Sequence, residues 1–96
     1  MVKDVFMFSV LPEKVDEYLK VTAKVIKPFW ESYGCLSYDI WQTKEGSPDF
    51  IKEMIYKDEA SKEKTIAAAA PKSREIVKLF GQYAVNLQRK SCVQKL

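Results

Sequence analysis

Three short runs typical of β-strands carry apolar side chains at both odd and even positions, in a chain of only 96 residues. Successive side chains of a strand point to opposite faces, so a sheet with one solvated face should alternate apolar and polar residues. The runs at about 4–10, 34–43 and 50–56 do not alternate in this way. Both faces of the predicted sheet therefore need cover, and a chain this short supplies helices for only one. We expect a second copy of the chain to cover the other face, forming a homodimer.

Composition and charge indicate a single globular domain that spans residues 1–96. Hydrophobic residues make up 47% of the chain, and 16 basic against 13 acidic residues give a net charge of +3. This balance is ordinary for solubility and argues against a nucleic-acid partner. No apolar run approaches twenty residues and the N-terminus lacks a signal-peptide pattern, so we expect a cytoplasmic protein with no membrane partner. The two cysteines fit that reducing compartment.

The first half of the chain predicts a strand, a helix and a second strand. Pro12 suits the first helical position, and apolar residues then recur at helical spacing to about Ser32. Pro28 cannot donate to a carbonyl of the preceding turn, so we expect a kink or a tightened last turn before Gly34. The second strand follows from about 35 to 43.

The second half predicts a hairpin, a second helical region and a fourth strand. The turn at 44–49 leads into the third strand, and Asp58 is a plausible N-cap for the next helix. Pro71 should end that helix or restart it as a new segment. Apolar alternation over 83–88 indicates the fourth strand, and residues 89–96 read as a polar C-terminal tail. The order β-α-β-β-α-β is that of the α+β, ferredoxin-like split βαβ fold, a four-stranded antiparallel sheet with its helices on one face.

Several stretches of the sequence resemble the antibiotic biosynthesis monooxygenase domain. They are Leu11–Lys14, Glu31–Asp39 and Phe50–Ala60, and the resemblance extends over about 4–86. The most specific piece is Glu-x-x-Gly-Cys-Leu-x-Tyr, which begins at Glu31. The resemblance implies a dimeric α/β barrel in which two four-stranded sheets pack face to face, with a small-molecule pocket between each sheet and its own helices.

Several activities occur in the family that the chain resembles. Its members include cofactor-independent oxygenases of phenolic or quinol-like aromatics, haem-degrading enzymes, a signal-molecule isomerase, and proteins without known activity. The fold alone therefore does not fix the reaction.

The sequence departs from this family at two places. Members often carry a histidine near the positions of Lys64 and Thr65, and this chain contains no histidine. The tryptophan common late in the third strand is also absent, where Ile55 and Tyr56 stand. Without an imidazole there is no usual acid or base and no usual axial ligand for haem. Since two distant cysteines do not make a metal site either, we expect no cofactor and no metal.

Two carboxylates are predicted to face each other on the hairpin. If its turn is centred near Gly46, Asp39 lies opposite Glu53, where their charges would repel. As catalytic residues, one of them would take a proton from an acidic phenol or quinol. As structural residues, they would bind a lysine or arginine from the partner or from the fourth strand, where Arg89 is a candidate, and so fix the dimer. We favour the structural interpretation, because this face is the one predicted to meet the partner.

A second group of residues suits a flat aromatic ligand. Aromatic rings from strands and helices could share one side of the sheet, with tyrosine hydroxyls to orient a small molecule and an amide to bind a carbonyl or oxyanion. Ordinary core packing explains the same rings. The sequence thus leaves open a cofactor-independent monooxygenase of phenolic or quinol-like aromatics and a catalytically inactive binding or accessory protein of the same fold. The candidate ligand-binding residues are Phe8, Trp30, Tyr38, Met54, Tyr56, Phe80 and Asn86.

Overall fold

The computed structural model describes all residues from Met1 to Leu96 and contains one four-stranded antiparallel sheet. In space the strands follow the order β2-β3-β1-β4, which is the ferredoxin-like split βαβ topology. The predicted fold class is therefore confirmed. The strands are β1 (Val2–Ser9), β2 (Ser37–Gln42), β3 (Phe50–Tyr56) and β4 (Val85–Val93).

The first helical layer begins with a 3-10 turn at Pro12–Lys14 and continues through two α-helices joined by a π-helical stretch. In that stretch, which we call the π segment, the Lys27 N–H donates to the Thr22 carbonyl five residues earlier. Pro28 follows directly and has no N–H to continue the α-helical pattern, so the irregular turn is widened rather than kinked or tightened as expected. These elements are α1 (Val15–Val21), the π segment (Thr22–Ile26) and α2 (Lys27–Ser32).

The second helical region is one continuous helix, α3 (Glu59–Gly81). Asp58 is its N-cap, as predicted, because its Oδ1 accepts a hydrogen bond of 2.7 Å from the Ser61 N–H. Pro71 neither ends nor restarts the helix, which corrects that expectation. Proline at 71 has no N–H to donate to the Ala67 carbonyl one turn earlier. Because Pro71 and Ala67 are both exposed, water can donate a hydrogen bond to that carbonyl instead.

The turn before β2 brings the chain close to α3. Gly34 has φ +122°, a conformation that glycine adopts readily. A Cβ atom at this position would lie 2.6 Å from the Thr65 Oγ1 of α3. Glycine is therefore required here both for its backbone angle and for the close approach.

The fourth strand is longer than predicted. β4 pairs with β1 from Val93 opposite Val2 to Val85 opposite Ser9, so the polar tail predicted for 89–96 is wrong for its first five residues. Nearly all of β4 is exposed, and backbone pairing with β1 holds it in place rather than burial. Because polar side chains can occupy such an edge strand, the apolar alternation ended before the strand did.

The two faces of the sheet differ in cover. One face, which we call the covered face, packs against the helices and contains a single core whose largest buried side chains are tyrosines and phenylalanines. The other, which we call the open face, has no element of this chain over it. None of the helices combines the length and hydrophobicity needed to cross a bilayer. Side chains of the open face include Lys3, Val5, Met7, Asp39, Trp41, Ile51, Glu53 and Ile55.

Candidate functional site

A buried lysine lies in the middle of the covered face. Lys52 is only 4% exposed, because the alternation of β3 points it inward together with Phe50 and Met54. The carboxylates that form salt bridges in this protein, Asp4 and Glu53, both bind other cations. Lys52 therefore has no carboxylate partner, which is rare for a lysine at this depth.

Aromatic rings take the place of a carboxylate around Lys52. Its Nζ lies 3.6 Å from the ring centroid of Phe80 and 4.1 Å from that of Phe6. The ring of Tyr38 is 5.3 Å away. We call these three rings the Lys52 cage. Their faces attract a cation, but they replace only part of the hydration that an ammonium group loses on burial.

The charge of Lys52 is set by burial. Desolvation, and secondarily the positive charge of Arg89, lower the pKa of Lys52 to about 7, although Asp4 opposes the change. At neutral pH a large fraction of this amine is therefore uncharged. A neutral amine has a free lone pair and acts as a base or a nucleophile.

A second charged group, centred on Asp4, lies beside the cage. Asp4 Oδ1 accepts hydrogen bonds from Lys62 Nζ at 2.7 Å and from Ser91 Oγ at 2.8 Å. Its Oδ2 accepts one from Arg89 Nη2 at 2.9 Å. Burial alone would raise the pKa of Asp4, but these bonds outweigh it and lower the pKa. When Lys52 is protonated, three cations surround one carboxylate, so the region favours anions.

Arg89 connects this group to the cage and to solvent. Its Cζ lies 5.7 Å from the centroid of Phe6, the ring that also contacts Lys52. The Arg89 side chain is 51% exposed, whereas that of Asp4 is 5% exposed. Arg89 is therefore the solvent-exposed member of this charged group.

Three buried hydroxyls on the helix side of the sheet have no hydrogen-bond partner. They belong to Tyr18, Thr22 and Tyr38. Burial raises the pKa of Tyr18 to about 12, partly offset by the nearby Thr22 hydroxyl, and burial also raises the pKa of Tyr38. Both tyrosines therefore remain neutral donors. Because buried polar groups are nearly always paired, these hydroxyls suit a ligand oxygen or a water molecule.

A groove of about 320 Å³ runs between the π segment and β2. Thr22 and Tyr38 both line it, so Tyr38 belongs to the groove as well as to the cage. π-Helical turns recur at functional sites, and this one borders the groove through Thr22 and Ala23. The remaining lining residues are Leu19, Ala23, Lys27, Asp39, Ile40 and Trp41.

The structure brings together most of the ligand-binding residues predicted from sequence. Phe8, Tyr38, Met54, Tyr56 and Phe80 are all buried in the core on the covered face. Trp30 is partly buried against that core. Asn86 is exposed near the start of β4, at φ +54°, and lies outside the core cluster. That these residues bind a ligand stays a prediction.

The two predicted carboxylates lie on the open face, opposite each other in the expected register. Each has its own partner. Glu53 Oε2 accepts a hydrogen bond of 2.6 Å from Lys3 Nζ, and Asp39 Oδ2 accepts one of 2.5 Å from Ser37 Oγ. Arg89 is not the cation that binds them, which corrects that expectation, because it points to the covered face and binds Asp4.

Sequence reasoning missed Lys52, Asp4 and Lys3. The position of Lys52 in β3 could have revealed its burial, because it lies two residues from both Phe50 and Met54 and therefore points to the same face of the strand. Lys3 shares the open face with Glu53 by the pairing of β1 with β3, which the hairpin register does not reveal. No group of three His, Cys, Asp or Glu side chains converges as a metal site would require.

The sequence matches no protein-family description, and no curated protein matches it either. Solved structures do match in fold. An uncharacterised NIPSNAP domain protein from Burkholderia xenovorans has a TM-score of 0.78 at 15% identity, with 99% of this chain and 95% of the other covered. SnoaB, a cofactor-independent oxygenase from Streptomyces nogalater crystallised as a mutant, has a TM-score of 0.80 at 12% identity, with 99% and 93% covered.

A third similar structure is an antibiotic biosynthesis monooxygenase, which has a TM-score of 0.72 at 16% identity and full coverage of both chains. At these identities the likeness establishes the fold. The ferredoxin-like fold of the single chain is thus confirmed, and it is shared by an oxygenase and by an uncharacterised protein.

Proposed function

We propose that this chain is a cofactor-independent monooxygenase acting on a phenolic or quinol-like aromatic molecule. The observation that carries the proposal is Lys52, an amine with a pKa of about 7 held among aromatic rings. It supplies the base that the missing histidine would otherwise provide. The fold shared with SnoaB, a cofactor-independent oxygenase, supports the same reaction class.

In the proposed reaction the Lys52 amine removes the proton from a ring hydroxyl. The phenolate transfers an electron to O2, and a C–O bond forms at the para carbon as the resulting radicals combine. The para hydrogen is then lost as a proton, the O–O bond breaks, and water leaves. For a simple phenol the balance is phenol plus O2 giving quinone plus water. The carbon is oxidised and one oxygen atom of O2 is retained in the product.

The charges around Lys52 suit these reaction steps. A phenolate is an anion, and Arg89 with the protonated Lys52 would stabilise it. Phe6 and Phe80 would pack against the substrate ring after the side chains move apart. In this proposal Asp39 and Glu53 are structural residues of the open face, and Lys52 replaces them as the base.

A catalytically inactive binding protein is the second candidate. The unpaired hydroxyls of Tyr18, Thr22 and Tyr38 favour it, because they would bind the oxygen of a small molecule without any reaction. The groove that Thr22 and Tyr38 line would then hold the ligand. Binding without turnover distinguishes this candidate from the enzyme.

We further propose that two copies associate through their open faces in the cytoplasm. Trp41 is 60% exposed on that face, next to half-buried Ile51. Exposed apolar patches of this kind mark interaction surfaces. Cys35 and Cys92 are both free thiols, which fits a reducing compartment.

Oxygen uptake with a panel of phenols and hydroquinones tests the proposed activity. We expect uptake with at least one compound, and loss of on the order of a hundredfold or more in the Lys52→Met variant, the range for removal of a general base. Glu53→Gln should keep the activity, since it lies on the other face. Equal turnover by wild type and Lys52→Met would exclude Lys52 as the base, and ligand binding without uptake would favour the binding protein.

A further inference from the structure

We propose that Trp41 inserts into a pocket on the open face of a second copy of this chain, and that the Trp41 of that copy fills the same pocket of the first. The proposal rests on the association through open faces proposed above and specifies how the two faces fit together. It gives the pocket an occupant, and it buries an indole ring that is 60% exposed in the single chain.

The pocket lies where β1 begins and β4 ends, and its volume is about 360 Å³. Lys3, Ile55 and Cys92 line it, and they form one row across β3, β1 and β4 on the open face. Met1 and Gln94 extend its wall beyond the ends of the two strands. Pockets of roughly 300 Å³ and more hold small-molecule ligands, so an indole ring has room here.

Trp41 lies at the opposite corner of the same face. The row that contains it continues through Ile51, Met7 and Gln88, and Cys92 lies four residues further along β4. Within one chain, Trp41 and Cys92 are therefore separated by three strand spacings, roughly 14 Å, and by about 13 Å along the strands. Trp41 is too far away to enter the pocket of its own chain.

A two-fold axis brings the indole and the pocket together. The axis lies between two stacked open faces and crosses, at its midpoint and at a right angle, the line from Trp41 to the pocket. Each Trp41 then lies over the pocket of the other copy, because a two-fold contact between residue and pocket is always formed twice. Buried aromatic anchors seated in pockets supply much of the affinity of protein interfaces.

The charges of the open face favour the same arrangement. Asp39 and Glu53 lie on β2 and β3, whereas Lys3 and Lys90 lie on β1 and β4, so one half of the face is acidic and the other basic. Asp39 is two residues from Trp41 and comes with it to the basic half of the second copy. Stacking β2 on β2 instead would bring acid over acid, which is unfavourable. Lys3, which lines the pocket, can also contact the face of the inserted indole.

The test is disulfide trapping in the Trp41→Cys variant, because Cys92 already supplies a free thiol in the pocket. Under mild oxidation, peptide mapping should find a disulfide between positions 41 and 92. This disulfide has to join two chains, since the bond needs Cα atoms within about 7 Å and the two positions of one chain lie much further apart. Gln42→Cys is the matched control, because it is exposed on the same strand but points to the other side, and it should give no such link.

A second variant tests the pocket with Trp41 in place. Cys92→Phe fills the pocket from within and should weaken the dimer by at least about tenfold in sedimentation velocity, the effect of losing one aromatic anchor. Gln42→Phe adds the same ring outside the open face and should leave the dimer unchanged.

The outcomes separate this proposal from the two on which it could be confused. A disulfide between two copies of position 41, or a dimer that Cys92→Phe does not weaken, would overturn the insertion while the dimer through the open faces stands. A wild type that stays monomeric at all concentrations would overturn both. The oxygenase is tested separately by oxygen uptake, so neither result decides it.

Discussion

The charged side chains on the open face are partly exposed to solvent, whereas most of those on the covered face are buried. On the open face, Lys3 and Glu53 form a pair whose side chains are 41% and 25% exposed. On the covered face, Asp4 is almost fully buried and binds two cations, Lys62 and Arg89. Lys52 is also buried there, but it forms no salt bridge with a carboxylate. Solvent screens the first arrangement and leaves it energetically weak, whereas burial makes the second one costly to change.

This difference is the reason for placing the proposed chemistry on the covered face. In the exposed pair, the hydrogen bond to Glu53 raises the pKa of Lys3, so that amine stays charged at neutral pH. A buried amine without a counter-ion has a lowered pKa, and perturbed groups of this kind cluster at functional sites. In the proposed function, the two hairpin carboxylates therefore serve assembly, and Lys52, on the other side of β3 from Glu53, is the reactive group.

The largest expected effect is the pH dependence of stability. Since Lys52 titrates near pH 7 when folded and near 10.4 when unfolded, the unfolded chain binds more protons between these values. The free energy of unfolding should therefore rise with pH, by up to roughly 4 kcal/mol between pH 7 and pH 10. Above pH 10 it should fall, because burial raises the pKa of Tyr18 and Tyr38 while the unfolded tyrosines ionise.

Urea unfolding at pH 6 to pH 11 measures this profile. The Lys52→Met variant should show no rise between pH 7 and pH 10, with a fall toward pH 10 because burial raises the pKa of Cys35, and should be more stable than the wild type at pH 7. Below pH 7 both states of the wild type hold the proton, so no further loss from Lys52 is expected there. If the two profiles run parallel, the buried amine is not the origin of the slope.

Removal of the Asp4 carboxylate should have the next largest effect. In Asp4→Asn, Lys62 remains buried without its counter-ion and Arg89 loses its bond. We expect a loss of about 3 kcal/mol in the free energy of unfolding at pH 7, the range for breaking a buried ion pair from one side. Glu53→Gln is the matched control on the open face and should cost much less, because its pair is partly solvated. Equal losses for the two variants would contradict the contrast between the faces.

Some of these features follow from the sequence and others depend on tertiary contacts. The Asp39 and Glu53 pairing was predictable, because the turn at Gly46 fixes the hairpin register. The inward direction of Lys52 was also encoded in the alternation of β3. Its lack of a carboxylate was not, because that depends on the arrival of Phe80 from α3 and on Asp4 being bound by Lys62 and Arg89.

Neither the full length of β4 nor the π segment could be predicted from the sequence, and the reasons differ. β4 is an exposed edge strand, so the second half of its sequence shows no alternation of apolar and polar residues. Its length is set by backbone pairing with β1, which the sequence does not reveal. The π segment depends on how the chain accommodates Pro28 while Thr22 and Ile26 stay buried. A proline predicts that a helix is disturbed, but packing decides whether the turn widens or tightens.

The smallest of the expected effects concerns assembly through the open face. Trp41→Lys places a charge on that face, where Trp41 is 60% exposed in the single chain. If two open faces pack together, the substitution should weaken the dimer by on the order of thirtyfold, the effect of losing one aromatic anchor worth about 2 kcal/mol. Sedimentation velocity over a range of protein concentrations measures the change.

Val77→Lys provides the matched control, because Val77 is similarly exposed at 57% but lies on α3, over the covered face. It should leave the dimer unchanged. Should both substitutions weaken association equally, or should the wild type sediment as a monomer at all concentrations, the open face is not the interface. The apolar residues that line both sides of the strands would then require another explanation, since a half-buried row such as Val5, Met7, Ile51 and Ile55 would face water without cover.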